Sequence, residues 1–275
     1  MQLLNLKTVL VATDLDDSSR PVLRTAAGLA RLAEASLHLL HVAADEANGS
    51  EKRLQEYFRL ASPEAVAPDS VRVAFGYPAA VIVEHAVRLD ADVIVVGPHR
   101  RRPVTGPLGS TAASVVRTAH CPCLVAATEL RLPLERVLVA IDVADAASGA
   151  LSVALTWASA LRPRNAQASL TALHASLDSA TEGAGLALRN EVERALDRSY
   201  SAARVSIDQR VLPGSEPADV ILREAASSAA DLLVMGTRTT GETSAELGSV
   251  SAAVARATPC PLLLVPPPSP LPTPP

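Results

Sequence analysis

The chain repeats a long segment of itself. Ala91–Ala127 reads ADVIVVGPHRRRPVTGPLGSTAASVVRTAHCPCLVAA, and Ala230–Val265 reads ADLLVMGTRTTGETSAELGSVSAAVARATPCPLLLV. Asp92 aligns with Asp231, Gly97 with Gly236, Gly109 with Gly248 and Cys121 with Cys260, each pair 139 residues apart. That period is far longer than the units of solenoid arrays. It marks a duplicated domain, and 275 residues suit two domains of ordinary size.

Each repeat opens on a short apolar run, Val93–Val96 or Leu232–Met235, that stops at a glycine. Such a run bounded by a breaker suits a strand buried on both faces. A polar loop leads to Gly-Ser and then to a helical pattern, Ser110–Thr118 or Ser249–Ala257, in which the serine is placed to cap the helix. A Pro-bounded apolar run, Leu124–Ala127 or Leu262–Val265, closes each repeat as a further strand.

The rest of each copy alternates strands and helices. In the first, Thr8–Thr13, Ser36–Val42 and Val71–Phe75 are predicted strands. Between and after them lie helices over Val22–Ala33, Glu46–Leu60 and Ala79–Leu89, with Asp16, Asp17, Ser18 and Ser19 as cap candidates and Pro78 in the first turn of the third. In the second, Arg136–Ile141, Ser169–His174 and Val205–Leu212 are strands, Val153–Leu161 and Glu182–Ala203 are helices, and Pro217 opens another. Alternation of this kind predicts parallel sheets with helices on both faces. The boundaries are a first domain over 1–127, a linker over 128–135, a second domain over 136–265 and a proline-rich tail over 266–275. So short a linker predicts that the domains pack closely. The tail, PPPSPLPTPP, reads as a disordered or polyproline II extension.

Composition narrows the function. Twenty-five basic and 29 acidic residues give a net charge of −4, which points to neither nucleic acid nor an anionic membrane. Neither a signal peptide nor an apolar run of about 18 residues is seen, so a cytoplasmic protein is expected. The three cysteines make no disulfide framework and suit a reducing compartment. His38, His41 and His174 lie on second strands without a metal-ligand cluster around them, and read as buried or loop histidines. Nothing pairs a nucleophile with a base.

The repeated segments resemble the universal stress protein family, and the resemblance covers nearly the whole chain twice. It implies a five-stranded sheet of order 3-2-1-4-5 in each domain, and two domains paired as an intramolecular pseudo-dimer; whether that unit pairs again into a homodimer is left open. The family's nucleotide-binding members carry a glycine motif that begins at Gly97 or Gly236 and ends at Gly109-Ser110 or Gly248-Ser249. Arg100 and Thr239 stand where its middle glycine would be, and both loops are one residue short.

The resemblance implies ATP or another adenine nucleotide as the bound group, with Mg2+. It places the first site at Thr13, Asp14, Val42, Val96, Gly97 and Arg100, with Gly109, Ser110 and Thr111 beyond them. It places the second at Asp142, Met235, Gly236, Gly248, Ser249 and Val250. Asp14 and Asp142 would contact the adenosine part, or else cap the next helix as loop residues do. The Gly-Ser pairs would cradle phosphate with backbone N–H groups at a helix start. Arg100, Arg101 and Arg102 favour the first copy, because the second loop carries Glu242 and Glu246 against Arg238. Pro98, Pro103 and Pro107 remove donors from the first loop.

Three functions stay open: a nucleotide-binding stress protein acting through occupancy, a partner-binding module of the same fold without nucleotide, and a slow ATPase. The partner in the second case is an unknown protein.

Overall fold

The computed structural model describes residues 6–44, 50–98, 108–143, 149–176, 181–198, 204–237 and 247–267. In the first half the strands are β1 (Thr8–Ala12), β2 (Ser36–Ala43), β3 (Ser70–Phe75), β4 (Val93–Val96) and β5 (Cys123–Val125). Its helices are α1 (Arg20–Ala33), α2 (Glu51–Ala61), α3 (Pro78–Arg88) and α4 (Ser110–Thr118). The second half repeats the order with β6 (Arg136–Ala140), α5 (Ala150–Ala160), β7 (Ala168–Ser176), α6 (Thr181–Arg198) and β8 (Val205–Pro213), then α7 (Pro217–Ser227), β9 (Leu232–Gly236), α8 (Ser249–Ala257) and β10 (Leu262–Val265).

Among the described residues ten strands form one sheet, ordered β3-β2-β1-β4-β5-β10-β9-β6-β7-β8. Within each half the order is the 3-2-1-4-5 implied by the resemblance, and the pairings are parallel. The halves meet at an antiparallel seam, where Leu262, Leu263 and Leu264 oppose Val125, Leu124 and Cys123. Since β5 and β10 run in opposite directions, the carboxyl edges of the two half-sheets face opposite ends of the molecule.

Alternate residues along a strand face opposite sides of the sheet. Val9, Val11, Leu37 and Leu39 join α1, α2, α5 and α6 in one core, together with Trp157. Leu10, Leu40 and Ile94 join α3, α4, α7 and α8 in the other, with Cys121, Cys123 and Cys260. All three thiols are free and buried. Burial pushes Cys121 up to about 12 and Cys260 up to about 11, and pushes Cys123 higher than an ordinary thiol, so they stay protonated and inert.

The repeated acids of the sequence are staples at the amino edge. Asp92 accepts from the main-chain N–H groups of Lys7 (2.7 Å) and Thr8 (2.9 Å), tying β4 to the start of β1. Asp231 does the same for Glu135 (3.1 Å) and Arg136 (2.8 Å) ahead of β6. It also pairs with Arg131 at 3.1 Å. The linker packs against both halves: Leu130 and Leu134 are buried, the Leu130 N–H donates to Thr25 Oγ1 at 2.9 Å, and the Leu134 N–H donates to the Leu161 carbonyl at 2.7 Å.

Three expectations are corrected. The α2 helix begins at Glu51, capped by Ser50 accepting from the Arg53 N–H, rather than at Glu46; residues 45–49 lie outside the described residues. The β5 strand takes in Cys123 and ends at Val125, because Ala126 makes its last sheet bond, to the Val96 carbonyl, before the chain leaves for the linker. Ser110 and Ser249 are not caps. Gly109 and Gly248 hold the cap positions, and neither helix start receives a side-chain cap bond. The tail beyond Pro267 and the end of the Glu182–Ala203 helix beyond Arg198 lie outside the described residues.

Candidate functional site

In an open parallel sheet, ligands bind beyond the carboxyl ends of the strands where the strand order reverses. In the first half that crevice lies between β1 and β4, and in the second between β6 and β9.

The chain leaving β1 is tightly held. Thr13 is buried, its N–H donates to the Leu40 carbonyl at 3.0 Å, and its hydroxyl accepts from the Leu15 N–H at 3.3 Å. The buried His41 donates from Nδ1 to the Thr13 carbonyl at 2.7 Å. Leu15 sits at φ +61, a left-handed kink for a branched residue. Asp16, not Asp14, caps the short 3-10 turn Asp17–Ser19, accepting from the Ser18 N–H at 2.9 Å. Tyr57 on α2 donates its hydroxyl to the Asp16 carbonyl, and burial keeps that hydroxyl protonated above its ordinary range. Asp14 itself is half-buried and accepts from Ser19 Oγ at 2.6 Å.

Across the crevice, β4 ends at the buried Val96, followed by Gly97. A Cβ on Gly97 would lie 3.3 Å from Val22 Cγ2 of α1, a tight approach. Next to it, the Gly109 N–H donates to the Pro98 carbonyl at 2.6 Å. Ser110 is exposed and Thr111 half-buried, in the first turn of α4. Val42, near the end of β2, is half-buried and pairs with Ala74. Arg100, Arg101, Arg102, Pro103, Gly106 and Pro107 lie outside the described residues, as do Arg238, Thr239, Glu242 and Glu246.

The second crevice has the same plan with different finish. His174 donates from Nδ1 to the Ile141 carbonyl at 2.9 Å, just before Asp142. Asp142 is exposed. Met235 is buried, Gly236 ends β9, and Ser251 donates to the Gly236 carbonyl at 3.1 Å. Ser249 is exposed and Val250 half-buried.

The parallel pairing of β1 with β4 and the Gly109–Pro98 bond set Thr13, Asp14, Gly97, Gly109 and Ser110 at the carboxyl edge of the first half-sheet, and the sequence did not mark His41, His174 and Tyr57 as main-chain supports. Their signal was present in part, since His41 and His174 stand at the same place in matching strands. Among the described residues no group of three or more His, Cys, Asp or Glu could hold a metal ion, and no helix is long and apolar enough to cross a membrane.

The model of the universal stress protein family matches residues 5–127 and again 133–266. The chain belongs to that family. Universal stress protein A homolog 2 of Coxiella burnetii is 31% identical over 140 residues, covering 44% of this chain and 94% of that protein. Among solved structures, a protein of unknown function from Pseudomonas aeruginosa PAO1 superposes at a TM-score of 0.70 with 20% identity, covering 97% of this chain and 94% of that one. A universal stress protein from Archaeoglobus fulgidus DSM 4304 gives 0.67 with 20% identity, covering 95% and 96%. This member of the family is therefore a tandem one, with its two copies joined through a common sheet.

Proposed function

We propose that this universal stress protein holds an adenine nucleotide, ATP-like and accompanied by Mg2+, in its first half, and acts in the stress response through that occupancy. The observation that carries the reading is the pairing at one crevice of a half-buried carboxylate, Asp14, with the start of α4, whose first-turn N–H groups receive no side-chain cap bond.

The residues present fit such a ligand. A helix N-terminus offers N–H donors and the positive end of the helix dipole to a phosphate. The exposed Ser110 hydroxyl adds a donor beside them. Gly97 keeps the wall opposite free of a Cβ that would crowd Val22. Asp14 would accept from ribose hydroxyls or the adenine amino group, since a carboxylate has acceptors only. In the second half Asp142 stands exposed, and the Gly236 carbonyl is already bonded by Ser251. That difference favours the first half as the nucleotide site. It also favours contact with a protein partner as the role of the second. The three inert thiols suit a cytoplasmic setting.

Mass spectrometry of small molecules released from the acid-denatured protein, followed by calorimetric titration with AMP, ADP and ATP, tests the reading. About one adenine nucleotide per chain is expected. None released, with flat titrations at millimolar nucleotide, overturns it in favour of partner binding. Phosphate release abolished by Asp14→Asn would establish an ATPase.

A further inference from the structure

The imidazole near the end of each second strand serves the same main-chain bond. His41 reaches the carbonyl of Thr13, 28 residues earlier, at 2.7 Å. His174 reaches the carbonyl of Ile141, 33 residues earlier, at 2.9 Å. The intervening stretches differ in length, yet the bond recurs on the residue immediately before Asp14 or Asp142. A carbonyl oxygen can only accept, so Nδ1 carries the hydrogen in both rings.

In the first half a second grip follows. Tyr57 donates to the Asp16 carbonyl, two residues beyond Asp14. The main chain is thus held on both sides of the carboxylate, from β2 by His41 and from α2 by Tyr57. Between the two grips lies Leu15 at φ +61. A non-glycine residue stays in that region only where its surroundings over-determine it, and such kinks cluster at functional sites. The kink turns the chain immediately after Asp14, whose carboxylate is itself bonded by Ser19 Oγ at 2.6 Å.

We infer that His41 and Tyr57 are positioning residues, which fix the Asp14 carboxylate for ligand recognition through a clamp on its main chain, and that His174 holds Asp142 in the same way. For the identity of the ligand this rests on the nucleotide reading above. The clamp itself is a property of the folded chain.

The test separates a positioned donor from mere filling. His41→Asn places an amide N–H where Nδ1–H stands, His41→Gln moves the donor outward, His41→Leu fills the space with none, and Tyr57→Phe removes only the hydroxyl. Each full-length variant is titrated with AMP, ADP and ATP, its melting temperature is measured, and hydrogen exchange of residues 13–19 is followed without nucleotide. Expected are affinities within about threefold of the parent for His41→Asn, and losses of about tenfold for His41→Gln, His41→Leu and Tyr57→Phe. The order of affinities should not follow the order of melting temperatures. Parental affinity in His41→Leu and Tyr57→Phe, or equal loss in His41→Asn and His41→Gln, overturns the inference. If the parent binds none of the three nucleotides, the functional reading fails and exchange decides the clamp. Faster exchange over 13–19 in His41→Leu and Tyr57→Phe than in His41→Asn upholds it, and equal exchange overturns it.

Discussion

At the amino edge of the sheet the two halves match closely: Asp92 and Asp231 each bond two successive main-chain N–H groups at the start of the neighbouring strand. At the carboxyl edge they differ. Asp14 is half-buried, whereas Asp142 is exposed. The first-half loop carries three arginines, and the second carries two glutamates. Ala112 in the first half corresponds to Ser251, whose hydroxyl takes the Gly236 carbonyl. The amino edge holds the strands together, so its chemistry is common to both copies. The carboxyl edge is where each copy meets its surroundings.

The largest expected effect tests whether the halves are one folding unit at all. Leu124 and Leu263 face each other across the seam and are both fully buried. Leu124→Ala or Leu263→Ala should each cost about 3 kcal/mol in urea denaturation, and the double variant less than the sum, because the two share one contact. Strict additivity would mean that the seam does not couple the halves.

Next come the staples. Asp231 is almost wholly buried and also pairs with Arg131 at 3.1 Å, whereas Asp92 is half-buried and accepts from the main-chain N–H groups of Lys7 and Thr8. Asp231→Ala should lose about 3 kcal/mol and Asp92→Ala about 1 to 2 kcal/mol. Equal losses would remove the asymmetry seen at this edge.

Much of this was legible in the sequence, and the exceptions have a common physical origin. Val93–Val96, Ser110–Thr118 and Leu262–Val265 were placed to the residue, because apolar runs and helical periodicity are local signals. The acid repeated at Asp92 and Asp231 was visible, but its bonding partner lies 84 to 96 residues away in sequence. The resemblance implied that the two domains pair, but not that β5 and β10 make the seam, although one clue existed. A strand as apolar as Cys123–Val125 would be an aggregation hazard at an open sheet edge, so it calls for a covering strand. At the candidate site, Asp14 and Gly109 were named from the family resemblance, whereas His41 and Tyr57 act on carbonyls that no motif records.

A smaller effect sharpens the functional comparison. Asp14→Asn should weaken adenine nucleotide binding about tenfold, since an amide leaves one acceptor fewer. Asp142→Asn should leave it within about twofold. Reversed outcomes in the same titration would move the site to the second half.

The smallest is a difference in acid response. His38 bonds Ser70 Oγ at 2.7 Å, and burial lowers its pKa against the opposing pull of Asp69. The folded state therefore resists the proton that the unfolded chain accepts below about pH 6.5. Stability from this group is complete above that pH and declines as pH falls toward the lower folded-state value. Thr171, at the matching place in β7, does not titrate there. His38→Gln should flatten the stability profile just below about pH 6.5, and an unchanged slope would place the acid response elsewhere.

The antiparallel seam between β5 and β10 has a consequence for inheritance. When two identical chains pair across such an edge, every mutation appears twice, and a ligand pocket can be gained or lost only in both places together. Joining the partners in one polypeptide frees each pocket to accumulate changes alone, while the shared strands keep the pair in permanent association at any concentration. A tandem protein of this kind can hold a working receptor at one end and a specialised surface at the other, a division of labour closed to a symmetric pair.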